Sequence, residues 1–318
     1  MSIVNIEDVI IVGSGPAAYS AALYLKKHRP LVLAGDWYSS TQNPGGQLTT
    51  TLDVDNYPGF PKGVNGGVLA DMFKDHAASE ETRVLELWVA SIKKEEEYFM
   101  LQTTQGTYRA RSVVIATGSV ARRLFVKGTR EGEFWQKGIS ACATCDGWQF
   151  KGKVVMVVGG GDTAMEESLY LADTAKHVFL INRTDKFRAR PDLLERVKSH
   201  PNITIETWRT LHEATGDEIL KGAVLNNEQT NQKTCMEIDG LFFAIGHTPS
   251  TAFLKELEIN LDNNGYIETK KETMETNIPG VFAAGDVQDF RYRQAITAAY
   301  TGMLAGVSAS AYLGGNNK

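Results

Sequence analysis

Cysteine is scarce in this chain, with 3 in 318 residues, and none belongs to the evenly spaced set that staples small secreted domains. A disulfide framework is excluded, and a reducing, cytoplasmic compartment is expected. An excess of either charge is missing too. The formal net charge is −5, from 33 Lys and Arg against 38 Asp and Glu, and no long run of like charge occurs. Neither nucleic acid nor a membrane is therefore expected as a partner. No uninterrupted apolar stretch is long enough to span a bilayer. Met1 to Asp8 lacks the basic and apolar regions of a secretory leader, so none is expected. What is left is ordinary globular composition, 42% hydrophobic and 22% charged, at a length that suits about two domains.

Two of the three cysteines stand together in Ser140-Ala141-Cys142-Ala143-Thr144-Cys145-Asp146-Gly147. A C-x-x-C pair can close a small redox disulfide, and a helix starting there lowers the thiol pKa through its N-terminal dipole. Asp146, directly after the pair, can shuttle the proton. Zinc also uses C-x-x-C, but a closed site wants four ligands and the remaining cysteine, Cys235, is isolated.

The source of electrons is sought in two glycine turns. Asp8–Val12 reads as a buried parallel strand leading into Gly13-Ser14-Gly15-Pro16-Ala17-Ala18 and a helical pattern. This is G-x-G-x-x-A between strand and helix. The first glycine permits the tight turn, the second lets the backbone approach a pyrophosphate, and the small third residue packs helix on strand. Asp36, near the end of the next strand Leu31–Leu33, stands where a carboxylate binds an adenosine ribose hydroxyl. Lys153–Val158 followed by Gly159-Gly160-Gly161-Asp162-Thr163-Ala164 repeats the opening of the chain. Gly13 falls on Gly159, Gly15 on Gly161 and Ala18 on Ala164, and two such units argue for two nucleotide sites. After the strand His177–Ile181 come Arg183, Lys186, Arg188 and Arg190 where an acid would select an unphosphorylated ribose, which favours a 2′-phosphate. Near the C-terminus, Val281-Phe282-Ala283-Ala284-Gly285-Asp286 is a strand ending in a carboxylate able to accept from a ribityl hydroxyl. Arg293-Gln294-Ala295 then enters a small-residue helix whose N-terminus can face a flavin.

With these motifs in place the chain resembles the low-molecular-weight thioredoxin reductases, nearly end to end. The most specific mark is Cys142-Ala143-Thr144-Cys145-Asp146-Gly147 lying directly before the second glycine turn. The resemblance implies an α/β fold of two Rossmann-like domains. A discontinuous FAD domain would comprise residues 1–121 and 248–318, and an inserted NADPH domain, residues 122–247, would carry the disulfide. It also implies a homodimer and thioredoxin as the protein substrate. Carried over residue by residue, Gly13, Ser14, Gly15, Pro16 and Ala17 would hold the FAD pyrophosphate. Gly46, Gln47, Leu48, Asn56, Thr117 and Gly118 match flavin-contacting turns, Gly285 and Asp286 the ribityl site, and Arg293, Gln294 and Ala295 the isoalloxazine side. Gly159, Gly161, Asp162, Thr163, Arg183 and Arg188 would hold NADPH. Cys145 would meet the flavin, Cys142 would attack the partner's disulfide, and Asp146 would be the acid and base.

Three departures from the family pattern matter. Asp162 replaces a frequent Asn, Asn182-Arg183-Thr184 replaces His-Arg-Arg, and the stretch Trp37–Asn43 is longer than typical. One guanidinium is missing, so NADPH is expected to be preferred with NADH less strongly excluded than usual. A flavin-dependent dithiol oxidase of the same superfamily is the alternative enzyme. It needs no NADPH site, so Arg183 and Arg188 count against it. A non-catalytic nucleotide- or zinc-binding sensor is the alternative from another class.

Overall fold

The computed structural model describes residues 6–36, 44–51 and 54–315, and Trp37–Asn43 lies outside them. The chain divides into two compact units, Met1–Val120 with Thr248–Lys318 and Ala121–His247.

The first unit opens with β1 (Ile6–Val12), α1 (Pro16–Tyr24), β2 (Leu31–Leu33), α2 (Gly66–Ser79) and β3 (Arg83–Leu85). An antiparallel meander follows, β4 (Val89–Lys94), β5 (Phe99–Thr103) and β6 (Gly106–Ile115), and then β7 (Ser119–Ala121). The second unit contains β8 (Ile139–Ser140), α3 (Ala143–Asp146), β9 (Val154–Val158), α4 (Asp162–Ala172), β10 (His177–Asn182), α5 (Pro191–Ser199) and β11 (Ile203–Thr207). It continues with β12 (Arg209–Gly216), β13 (Leu220–Asn227), β14 (Lys233–Glu237) and β15 (Gly240–Phe243). The chain returns through β16 (His247–Pro249), which pairs with β7, and ends with β17 (Val281–Ala283) and α6 (Ala295–Gly315).

In the first unit β3, β2, β1, β6, β5 and β4 form one sheet, and β17 joins β6. The two halves of β6 serve different neighbours. Gly106–Ala110 pairs antiparallel with β5, and Val113–Ile115 pairs parallel with β17. Alternation along the buried strands explains the layers. Val9, Ile11, Val32 and Val114 pack on the alanine-rich faces of α1 and α6, whereas Ile10, Val12, Leu31, Leu33, Val113 and Ile115 face a second core with Ile92 and Leu101.

The second unit repeats this logic. Its parallel sheet has the order β11-β10-β9-β15-β8. Val155, Val157, Val178 and Leu180 pack on Ala164 and Met165 of α4 and Leu193 and Val197 of α5. Met156, Val158 and Ile181 face Leu211, Ala223 and Leu225 of the antiparallel sheet β12-β13-β14. Each unit is thus built on parallel strands covered on both faces, with the antiparallel β4 and β5 extending the sheet of the first, as expected of Rossmann-like domains. Among the described residues no helix is long and apolar enough to cross a membrane.

Candidate functional site

The two glycine turns are built alike. Gly13, with φ +122°, donates its N–H to Leu33 O at 2.9 Å, and a Cβ there would overlap the carbonyl oxygen of Ala116. Gly159 donates to Ile181 O at 3.1 Å, and its Cβ would overlap the carbonyl of Ala244. Both glycines therefore sit at the C-terminal end of a central strand, pressed on the next strand's backbone. Gly15 and Gly161 are the N-caps of α1 and α4. Among the described residues, a Cβ on Gly15 would meet Gly45 O at 3.9 Å, and one on Gly161 would meet nothing within 4 Å. These open backbones at helix N-termini fit a dinucleotide pyrophosphate.

Around the first turn the structure gathers most of the residues expected there. The Ser14 hydroxyl donates to Ala34 O at 2.7 Å and accepts from Gly45 N at 2.9 Å, so this side chain pins the Gly45–Leu48 turn rather than pointing outward. A Cβ on Gly46, at φ +69°, would meet nothing within 4 Å among the described residues. Gln47 donates to Ser119 O at 2.9 Å, and the carbonyl of Leu48 bears on Gly66. The Thr117 hydroxyl donates to Ser250 O at 2.9 Å, and Gly118 O accepts from Ser250 N at 3.0 Å. Asn56 Nδ2 donates to Gln294 Oε1 at 3.1 Å, joining two expected ring-side residues that lie 238 positions apart.

The C-terminal contribution rests on residues that sequence reasoning missed. The Asp289 carboxylate accepts from the N–H groups of Arg291 at 2.9 Å, Tyr292 at 3.0 Å and Arg293 at 3.3 Å. It thereby holds Arg293 at φ +50°, a left-handed conformation that costs a non-glycine residue roughly 1–2 kcal/mol. Ala295 then begins α6. The available signal was an acid two to four residues before the motif, the spacing of an Asx turn. Gly285, with φ +74°, donates to the Thr301 hydroxyl at 2.9 Å, and a Cβ there would lie 2.9 Å from Ala17 Cβ. Ala17, Gly285 and the start of α1 are thus locked together.

Burial pushes the Asp286 carboxyl up to about 7, helped by the charge of Asp289 and opposed by Arg293. Between the ordinary carboxylate range and about 7 the folded chain holds a proton that the unfolded chain releases. This group's contribution to stability is therefore present at low pH and lost as pH rises through that window. In protein freed of bound small molecules, Asp286→Asn should gain thermal stability relative to the parent as pH is raised from about 5 to 8. Parallel unfolding profiles would remove the shifted carboxyl from the argument.

In the second unit Asp162, the first residue of α4, accepts from Arg190 N at 2.7 Å and lies 3.6 Å from the Arg190 Nε. Asn182, where the family pattern has His, is buried, and its amide donates to Thr184 O at 2.9 Å and Lys186 O at 3.0 Å. Arg188 N donates to Gly160 O at 2.7 Å. The basic loop is thereby tied to the glycine turn through Arg188 and Arg190 and shaped from within by Asn182. The side chains of Arg183 and Arg188 are exposed and Thr163 is half-buried.

The cysteines close the set. Cys142 and Cys145 are joined by a disulfide, so neither is a zinc thiolate, and Cys235 lies exposed on β14. Cys142 caps α3, a single turn in which Cys142 O accepts from Asp146 N at 3.1 Å. Asp146 is only 6% exposed, and its Oδ2 accepts a hydrogen bond from the Ser140 hydroxyl. Ser140 is the second residue that sequence reasoning missed.

Comparison with known proteins places this arrangement. A family model described as pyridine nucleotide-disulphide oxidoreductase matches residues 7–302. Thioredoxin reductase of Chlamydia pneumoniae is 43% identical over 96% of this chain and 98% of its own. NADPH-dependent thioredoxin reductase 3 of Arabidopsis thaliana is 44% identical over 98% of this chain, which spans 59% of that protein's length. Among solved structures, thioredoxin reductase from Giardia duodenalis superposes with a TM-score of 0.89 at 36% identity, covering 96% of this chain and 98% of the other. That from Streptococcus pyogenes gives 0.88 at 34%, covering 98% and 99%. The chain belongs to the pyridine nucleotide-disulphide oxidoreductase family, among the thioredoxin reductases, and Cys142–Cys145 is the pair expected of its redox disulfide.

Proposed function

We propose that this protein is an NADPH-dependent thioredoxin reductase, with FAD held by the first unit and NADPH by the second. The observation that carries the reading is the Cys142–Cys145 disulfide with the buried carboxylate of Asp146 beside it, in the same unit as the second glycine turn. The chemistry supplied by bound FAD is acceptance of a hydride from NADPH and its release as two electrons. This chain's residues do the rest. The backbones of Ser14 to Ala17 bind the FAD pyrophosphate, Asp286 accepts from the ribityl chain, and Asn56, Gln294 and Ala295 orient the ring. Gly159, Gly161 and Thr163 hold the coenzyme pyrophosphate, while Arg183 and Arg188 reach the 2′-phosphate. Cys145 receives the electrons, Cys142 attacks the disulfide of thioredoxin, and Asp146 takes and returns the proton. The setting is the reducing cytoplasm. The assembly is a homodimer through the exposed Ile296, Tyr300 and Val307 of α6, to be read as twice the chain mass in sedimentation.

The decisive assay is NADPH oxidation by the yellow protein with and without oxidised thioredoxin. Strong dependence on thioredoxin is expected, and oxidation that ignores thioredoxin would sink the reading. The coenzyme site has its own test. Arg183→Ala should raise the KM for NADPH about tenfold or more and leave that for NADH nearly unchanged, because a charge-assisted bond to phosphate is worth roughly 1.5–3 kcal/mol. Equal effects on both coenzymes would remove Arg183 from the phosphate site.

A further inference from the structure

The Ser140 hydroxyl joins two parts of the redox loop that the sequence separates. Ser140 is the last residue of β8 and is 4% exposed. Its Oγ accepts the Cys142 N–H at 3.1 Å and donates to Asp146 Oδ2. A backbone N–H only donates, so the serine oxygen facing it must act as acceptor there. The hydroxyl has one proton, and in this geometry it points at the carboxylate. The Asp146 carboxylate is thus tied to the backbone of the first cysteine through one buried hydroxyl.

We infer that Ser140 is a positioning residue for disulfide exchange: its hydroxyl, fixed in direction by the Cys142 N–H, holds the Asp146 carboxylate in place within the redox loop. The inference rests on the thioredoxin reductase reading and deepens it. In the reduced protein Asp146 takes the proton of the Cys142 thiol. The Cys142 thiolate attacks one sulfur of the partner's disulfide, that S–S bond breaks, and the leaving sulfur takes the proton back. The Cys145 thiol then gives its proton to Asp146 and its sulfur attacks Cys142. The Cys142–Cys145 bond re-forms, and the partner's second sulfur leaves and is protonated in turn. Two electrons and two protons pass to the partner. A hydroxyl anchored to the backbone of the attacking cysteine fixes how that carboxylate is turned.

The test uses full-length, flavin-loaded protein reduced with dithiothreitol and desalted, then mixed with oxidised thioredoxin in a single turnover without NADPH. Ser140→Ala should slow exchange about tenfold at saturating thioredoxin, with the half-saturating concentration unchanged. Ser140→Thr, which keeps the hydroxyl, should stay within about twofold of the parent. Asp146→Asn should be slow, and Ser140→Ala added to it should cost nothing more, because the serine acts through the carboxylate. Thermal unfolding and flavin content establish that each variant is folded, and Ser140→Gly replaces Ser140→Ala if the latter is not. A folded Ser140→Ala or Ser140→Gly as fast as the parent overturns the role, as does a folded Ser140→Thr as slow as they are, or a further loss in the Asp146→Asn background. A parent protein that fails to reduce thioredoxin instead overturns the proposed function, and this role with it.

Discussion

Cys142→Ser is expected to abolish reduction of thioredoxin while NADPH still bleaches the yellow colour of the protein. The loss should be about a thousandfold or more, ~4 kcal/mol of barrier, because a serine hydroxyl cannot act as the attacking thiolate at neutral pH. The fold has little reason to suffer. Cys142 is only half-buried, its backbone bonds to Ser140 and Asp146 do not use the sulfur, and serine is nearly its size. The disulfide closes a loop too short to matter much for the unfolded chain, with a sequence separation of 3. Stopped-flow bleaching by NADPH and steady-state thioredoxin turnover, measured on the same preparation, separate the two halves of the reaction. Near-normal turnover by this variant would mean that electrons leave by some other route than Cys142.

Features that local backbone requirements dictate were legible in the sequence. Gly13 and Gly159 announced their turns because no other residue fits against Ala116 and Ala244, and the strands before them read correctly as buried runs. Leu31–Leu33 was found to the residue. The cysteine pair was legible for the same reason, since two thiols three positions apart have few uses. What escaped were side chains whose role depends on a distant partner or on the direction of a single proton. Ser14 belonged to the motif by position, yet its hydroxyl serves Ala34 and Gly45. Asn182 stood out only as a departure from the family's His, and the fold uses it to shape the basic loop from within. Nothing near Asn56 in sequence points to Gln294. Asp289 and Ser140 carry no motif, because a serine or an aspartate beside a functional loop is common and only coordinates show which one is buried and bonded.

Gly302→Ala is expected to destabilise the first unit by about 3 kcal/mol and to weaken flavin retention with it. The small residues of α6 let it pack closely against α1. A Cβ on Gly302 would overlap the carbonyl oxygen of Ala17 and lie 2.8 Å from its Cα. Backbone cannot swing away as a flexible side chain can, so one helix must move off the other. Gly306, one turn later, would bring a Cβ to 2.7 Å from Ala21 O and 3.0 Å from Tyr24 Cβ, a milder conflict of the same kind. Ordinary overpacking costs about 1–3 kcal/mol, and Gly302 belongs at the upper end because both of its closest neighbours are main chain. Helix propensity works the other way, favouring alanine by about 1 kcal/mol inside a helix, and it offsets part of the smaller conflict at Gly306. The consequence for the site follows from which residue is struck. Ala17 is the second residue of α1, its Cβ already bears on Gly285, and Gly15 and Pro16 just before it form the open turn. Pushing α1 outward displaces the turn and the Gly285–Asp286 corner together. Thermal unfolding should therefore rank Gly302→Ala well below Gly306→Ala and the parent, with the ratio of flavin to protein absorbance falling in the same order after dialysis. A Gly302→Ala protein that kept both its melting temperature and its colour would show that α1 and α6 can separate without cost, and that the close approach of Ala17 to Gly302 does not set the nucleotide turn.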